Sequence, residues 1–155
     1  MPYPYSRTGK NQLLNVVPDI REALEEGLEK AAEDVTFQLK RKGPYWSGFF
    51  ESLWQVNAGK TAVRPDQVDV METPKKAKTR VYSPVEVPES PNLGGYTIGN
   101  RANYRLWAMD IRKDGPRANS KRRTAPLNWF DTYINTQMRS TITVSYTHLT
   151  LPTTD

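Results

Sequence analysis

Asp110 and Asp114 are spaced for joint chemistry, because residues four positions apart face each other on a helix. A hydrolase or nuclease needs at least two converging carboxylates, together with a metal ion or a raised pKa. Here Arg112, Lys113 and Arg117 surround the two acids, and such cations favour ordinary ion pairs. The sequence therefore predicts no catalytic residues at this place.

Other residues that enzymes use are scarce. The chain has no cysteine, which excludes disulfides and thiolate metal sites, and its one histidine, His148, lies in the last dozen residues. No glycine-rich phosphate-binding loop of standard spacing occurs. We therefore predict that the protein is not an enzyme and binds no cofactor and no metal ion.

Basic residues are concentrated between positions 101 and 123, where eight Lys or Arg and two Asp give a net charge of +6. Such a cluster suits phosphate groups, and Tyr104 and Trp107 could stack on bases, so nucleic-acid binding is one interpretation. The other is a basic surface that meets an acidic protein partner, including another copy of the chain. The predicted phosphate or interface contacts are Arg112, Lys113, Arg117, Lys121, Arg122 and Arg123.

A long amphipathic helix from Pro18 to Lys42 would supply the acidic surface. Asp19 and Glu22 are spaced as a capping box, and Gly43 follows the last turn. Acids dominate its first part and bases its last turn, which complements the helix dipole and suits head-to-tail contacts between copies. Its apolar residues recur at spacings of three and four: Ile20, Leu24, Leu28, Ala31, Val35 and Leu39.

Both ends of the chain are predicted to lie outside the folded domain. Residues 1–17 are expected to form an extended arm, in which Tyr3 and Tyr5 contact a neighbour or the domain itself. Residues 144–155, VSYTHLTLPTTD, resemble the translation of a sequencing-library adapter. They are predicted to be an artefactual or disordered tail.

Two strands are predicted in the middle of the chain. A turn at Ser47 and Gly48 leads into a strand that ends at Asn57, and a second strand ends in a turn at Gly99 and Asn100. Between them, residues 60–93 are rich in Pro and charge and are predicted to be a long loop. The pieces of this loop with edge-strand character are Val68–Met71 and Thr79–Tyr82.

A second helix is predicted near the C-terminus, with Pro126 in its first turn. Its apolar stripe is Leu127, Phe130, Tyr133, Ile134, Met138 and Ile142. The order of elements predicts one α+β domain over residues 18–143, with two helices packed on a small antiparallel sheet. No apolar run approaches the roughly 18 residues needed to cross a bilayer, and no secretory signal is visible, so we expect a cytoplasmic protein or one in a particle assembled there.

The order of these features resembles the small neck or tail-completion proteins of tailed bacteriophages, also described as minor tail components. The long N-terminal helix is one part of the likeness, and two short motifs are the others. The matching residues are Ser47, Gly48, Ser52 and Trp54 in SGFFESLWQV, and Ile98, Gly99, Asn100 and Tyr104 in YTIGNRANY.

This resemblance implies a structural virion protein without catalytic activity. Its α+β subunits would form a ring, with a hexamer favoured, that completes the tail or neck and joins head to tail. The ring would contact other neck or tail proteins, and DNA would pass through its lumen. The expected contact elements of this chain are the arm Pro2–Lys10, the loop 60–93 and the basic segment 112–123.

Overall fold

The computed structural model describes residues 18–66, 77–110 and 124–150. Helix α1 spans Pro18–Lys42, which confirms the predicted long helix. Its fully buried apolar residues are Ala31, Ala32, Val35 and Leu39. Ile20, which begins the predicted apolar stripe, is 55% exposed, so the first turn of α1 extends beyond the core.

A short helix α2, Phe49–Ser52, leads directly into strand β1, Trp54–Ala58. A 3-10 turn at Pro91–Leu93 precedes strand β2, Tyr96–Asn100. The two strands pair in antiparallel orientation, and α1 contacts both of them. Helices packed on a small antiparallel sheet confirm the α+β class.

The predicted turn at Gly99 and Asn100 is wrong, because both residues belong to β2. They lie opposite Gln55 and Trp54 in the sheet. Gly99 serves close packing instead, since a Cβ atom at this position would come within 2.7 Å of the Cβ atom of Val63. The absence of a side chain at Gly99 therefore lets Val63, which follows β1 in the chain, pack closely against β2.

The predicted edge strand Thr79–Tyr82 is not formed. Tyr45 explains the difference, because its hydroxyl donates to the carbonyl oxygen of Val81 at 2.9 Å and accepts the Val81 N–H at 3.0 Å. These are the two backbone groups that a strand partner would use. The other predicted edge strand, Val68–Met71, lies outside the described residues.

Three more helices follow in the described part of the chain. They are α3 at Arg105–Ala108, α4 at Trp129–Thr136 and α5 at Met138–Thr150. The prediction of one helix from Pro126 is therefore wrong in two respects. The left-handed backbone of Asn128, with φ of 59°, delays the start to Trp129, and the chain leaves helical geometry again at Gln137.

Aromatic rings fill the core between α1, the sheet and α4. Trp54 stacks on Phe130 with ring centroids 6.5 Å apart and meets Trp129 edge to face at 6.4 Å. The indole N–H of Trp129 donates to Ala108 O at 2.9 Å. In the described part of the chain, the buried indole N–H groups of Trp54 and Trp107 have no hydrogen-bond partner. Each such group costs about 1–3 kcal/mol, a cost that the burial of the rings must exceed.

The segment that resembles an adapter translation overlaps α5, which continues to Thr150. Within it, Ser145 is buried and donates its hydroxyl to Asp34 of α1 at 2.7 Å. The artificial origin of residues 144–155 stays a prediction.

Candidate interaction surfaces

Most residues predicted as contacts lie outside the described residues. They are Tyr3, Tyr5, Arg112, Lys113, Arg117, Lys121, Arg122 and Arg123. The described chain resumes at Thr124, whose carbonyl oxygen accepts a hydrogen bond from Arg80 Nη2 at 2.9 Å. Thr124, which follows the basic segment in the chain, therefore lies beside Arg80.

The Ser47–Gly48 motif forms the turn that the sequence predicts. Gly48 adopts φ of 91°, a left-handed conformation that favours glycine, immediately before α2. Ser47 Oγ accepts the N–H of Phe49 at 3.3 Å. A side chain at Gly48 would come within 3.0 Å of the Tyr45 hydroxyl oxygen, so the motif keeps the chain close to that tyrosine.

Asn100 links the sheet to α2 from a position that is 1% exposed. Its amide donates to Phe50 O at 2.9 Å, and its amide oxygen accepts the N–H of Ala102 at 2.9 Å. Tyr104 packs nearby, with its ring centroid 6.0 Å from that of Phe50. These motif residues, together with Trp54 and Gly99, therefore hold the fold together.

Asp110, one of the two acids considered for catalysis, is 7% exposed and has φ of 59°. Its Oδ2 atom accepts the N–H of Asn128 at 2.9 Å. The carboxylate thus fixes the chain just before α4. Asp114 lies outside the described residues.

Lys40 belongs to the basic last turn of α1, yet it is only 2% exposed. Its ammonium donates to Ser83 Oγ at 2.7 Å and to Ser83 O at 3.0 Å, and it lies 3.2 Å from Glu51 Oε1. Glu51 is equally buried and accepts the N–H and the hydroxyl of Ser83 at 2.8 and 2.9 Å. The contacts among Lys40, Glu51 and Ser83 therefore join α1 and α2 to the loop 60–93.

A serine beside a lysine acts as nucleophile and base in some hydrolases, so this cluster is a candidate for chemistry. Here the hydroxyl hydrogen of Ser83 is directed at Glu51, and the Lys40 amine donates rather than accepts. The arrangement therefore supports anchoring of the loop. The sequence gives no signal for it, because Lys40 and Ser83 are 43 positions apart.

An acidic groove of about 570 Å³ lies along the first half of α1. Its acids are Glu22, Glu25, Glu26, Glu29 and Glu89, and Arg21 and Tyr96 also line it. Arg21 lies 3.3 Å from Glu25. Burial, followed by the charges of Glu29, Glu25 and Glu89, raises the pKa of Tyr96. The groove is therefore a region of strong negative potential that suits a cationic partner.

A basic–aromatic surface lies at the other end of α1. It consists of Phe37, Arg41, Arg80, Val81 and Tyr82, which lie next to the buried ring of Tyr45. Phe37 is 40% and Val81 70% exposed. The guanidinium groups of Arg41 and Arg80 each lie 5.7 Å from a ring centroid, those of Phe37 and Tyr45 respectively. Arginine and aromatic side chains at the surface are the composition enriched in protein interfaces.

A hollow of about 310 Å³ continues this surface. Arg41, Lys42 and Arg80 line it, together with Thr124 and with Leu127, which is 39% exposed. Positive charge thus extends from the end of α1 toward the residue at which the basic segment ends.

The acidic groove and the basic–aromatic surface are well separated on one helix. Glu25 and Arg41 are about 24 Å apart along the helix axis, at 1.5 Å per residue. One end of the molecule therefore carries carboxylates, and the other carries cations with exposed apolar side chains.

Within residues 18–66, 77–110 and 124–150, no three His, Cys, Asp or Glu side chains are grouped to hold a metal ion. In the same ranges, no helix combines the length and hydropathy needed to cross a bilayer. Comparisons of the chain with protein-family models, with curated proteins and with solved structures found no match.

Proposed function

We propose that this protein is a structural subunit that assembles head to tail into a ring, and that the ring belongs to the neck or tail-completion apparatus of a tailed bacteriophage. The observation that carries the assembly is the pair of oppositely charged surfaces at the two ends of α1. The phage assignment is supported by the motif resemblance at Ser47, Gly48, Trp54, Gly99 and Asn100. On this proposal the protein acts in the virion, between other neck or tail proteins.

The geometry of α1 favours contacts between copies. The acidic groove and the basic–aromatic surface lie on the same helix about 24 Å apart, so they cannot meet within one molecule. Each copy can offer its basic end to the acidic groove of the next. Such head-to-tail interfaces give a closed ring when the rotation between copies allows closure.

The two kinds of side chain have different tasks in this contact. Exposed charges steer the encounter and set its register, whereas well-packed apolar anchors supply most of the affinity. Phe37 and Val81 are the exposed apolar residues that stand beside Arg41 and Arg80. We therefore expect them to be the anchors.

Charge reversal tests the contact directly. One variant, Glu22→Lys/Glu25→Lys/Glu29→Lys, changes the net charge of the groove residues from −4 to +2. The other, Arg41→Glu/Arg80→Glu, changes the net charge of the basic–aromatic surface from +2 to −2. We expect each variant alone to be monomeric by multi-angle light scattering. An equimolar mixture of the two should assemble again, because every interface then joins opposite charges. Six copies is the expected number.

Two matched controls carry the same type of substitution outside the surfaces. Glu33→Lys lies on α1 but outside the groove, and Arg139→Glu lies on α5; both side chains are exposed. Both should assemble as the parent does. A parent chain that stays monomeric at high concentration, alone and with the neck proteins encoded next to it, contradicts the proposal.

Nucleic-acid binding is the second candidate function. It is favoured by the position of Arg41, Lys42 and Arg80 beside Thr124, where the basic segment ends. It predicts salt-sensitive DNA binding that is lost in the variant Lys121→Ala/Arg122→Ala/Arg123→Ala. Absence of DNA binding by the parent at low salt would exclude it.

A further inference from the structure

Strand β1 has an edge that faces away from β2. The Arg101 N–H donates to Leu53 O at 3.0 Å, and the Gly59 N–H donates to Gly95 O at 2.8 Å. Odd-numbered residues of β1 therefore make the ladder, and the N–H and C=O groups of Val56 and Ala58 point outward. Among the described residues, these four outward groups have no hydrogen-bond partner.

A cleft of about 990 Å³ runs along this edge. Its second wall is the segment 83–88, which follows β1 without pairing to it. Pro84 and Pro88 have no N–H to donate, so this segment cannot complete the ladder. The wall is held at both ends, because Ser83 bonds to Glu51 and Ser90 Oγ donates to the Gly95 carbonyl at 2.7 Å.

The size of the cleft matches one strand. A five-residue strand is about 17 Å long, and with a spacing of about 4.8 Å and a thickness of about 10 Å it occupies roughly 800 Å³. The lining is mostly uncharged, with Gln55, Asn57 and Thr61 on one side and the prolines on the other. The site therefore suits an extended, uncharged segment that bonds through its backbone.

We propose that residues 11–17 of a second copy bind in this cleft as a third strand on β1. The segment, NQLLNVV, contains no Pro, no Gly and no charge, and it precedes α1 directly. Its leucines and valines suit a half-buried strand. This inference adds a specific contact to the proposed ring, and it rests on that proposal because the ring supplies the second copy.

The direction of the chain favours a neighbour's arm over the molecule's own. β1 pairs its Ala58 end with Tyr96, which lies in the groove formed by the first half of α1. The chain's own residues 11–17 enter α1 from that end, so they would run parallel to β1. An arm from another copy is free to run antiparallel, which continues the pattern of the sheet and is the more stable pairing.

Hydrogen exchange on the full chain, read at single-residue resolution under assembling conditions, tests this inference. In the parent, the amides of Val56 and Ala58 should exchange at least about tenfold more slowly than in Leu14→Pro, which removes a backbone donor from the arm. The backbone N–H groups of Gln55 and Asn57 point toward β2, so their amides should stay protected in both chains and serve as internal controls. The matched variant Ser6→Pro, outside the segment, should behave as the parent.

Mixing separates a neighbour's arm from the molecule's own. Isotope-labelled Leu14→Pro chains should regain protection at Val56 and Ala58 when unlabelled parent is added in excess. No recovery, equal protection in Leu14→Pro and parent, or fast exchange in an assembled parent each overturns the inference. Fast exchange in a ring leaves the proposed function intact, whereas the charge-reversal experiment tests that function separately.

Discussion

Replacing Lys40 with methionine measures how far the buried network stabilises the fold. Methionine fills nearly the same space but leaves Glu51, whose side chain is 3% exposed, charged and without its cation. Removing one partner of a buried ion pair costs about 3–5 kcal/mol. We expect Lys40→Met to lower the free energy of unfolding by that amount and the melting temperature by about 10 °C.

Lys30→Met is the matched control on the same helix. Lys30 lies 3.7 Å from Glu33 and 3.2 Å from Asp34, but its side chain is 46% exposed. Exposed pairs of this kind contribute less than about 1 kcal/mol, so this variant should unfold at nearly the same urea concentration as the parent. The difference between the two lysine variants isolates the effect of burial.

A double-mutant cycle with Glu51→Gln tests the coupling. The glutamine oxygen can still accept from Ser83, and the double variant Lys40→Met/Glu51→Gln leaves no buried charge. It should therefore be more stable than Lys40→Met alone, with a coupling energy of at least about 1 kcal/mol. Additive effects, or a Lys40→Met chain as stable as Lys30→Met in urea unfolding, would refute the reasoning.

Three further substitutions test single contacts by urea unfolding. Gly99→Ala should cost about 1–3 kcal/mol, and Val63→Gly in the same chain should restore part of the loss, because it removes the Cβ atom that a side chain at position 99 would meet at 2.7 Å. Asn100→Ala should cost about 2–3 kcal/mol, since two buried backbone groups lose their partner. Burial raises the pKa of Tyr133 above its ordinary 10.0, so the folded state stays protonated where the unfolded state ionises. Stability should therefore fall as the pH rises above about 10, where the unfolded tyrosine ionises, and Tyr133→Phe should reduce that fall.

The long helix and the class of fold were predictable because they depend on local periodicity. The apolar stripe of α1 repeats at helical spacing, and its second half, which includes Val35 and Leu39, is buried. The errors come from contacts between distant positions. Gly99 lies in a strand because it pairs with Gln55 of β1, and Thr79–Tyr82 is not a strand because the Tyr45 hydroxyl binds Val81. Neither partner can be recognised from the neighbouring sequence.

The acidic groove was predictable in charge but not in shape. The sequence shows acids along α1, yet only folding brings Glu89 and Tyr96 beside the helix acids to make a groove. Phe37 lies next to the buried stripe and could have been internal. The structure leaves it 40% exposed, with Arg41 over its ring and Tyr82 in an edge-to-face contact with it.

The buried network and the open edge of β1 are connected through the segment 83–90. Lys40 and Glu51 hold Ser83 beside the start of β1, while Ser90 holds the other end. Because Pro84 and Pro88 have no N–H to donate to β1, these two anchors are what keep the wall at a distance that admits a strand.

Loss of the Lys40 anchor should therefore weaken the binding of the proposed third strand to β1, although Lys40 does not line the cleft. In Lys40→Met we expect faster amide exchange at Val56 and Ala58 than in Lys30→Met, with Gln55 still protected. Measurements well below the melting temperature of the variant separate this local effect from global unfolding. Equal exchange at Val56 in both lysine variants would mean that the cleft keeps its width without the buried ion pair.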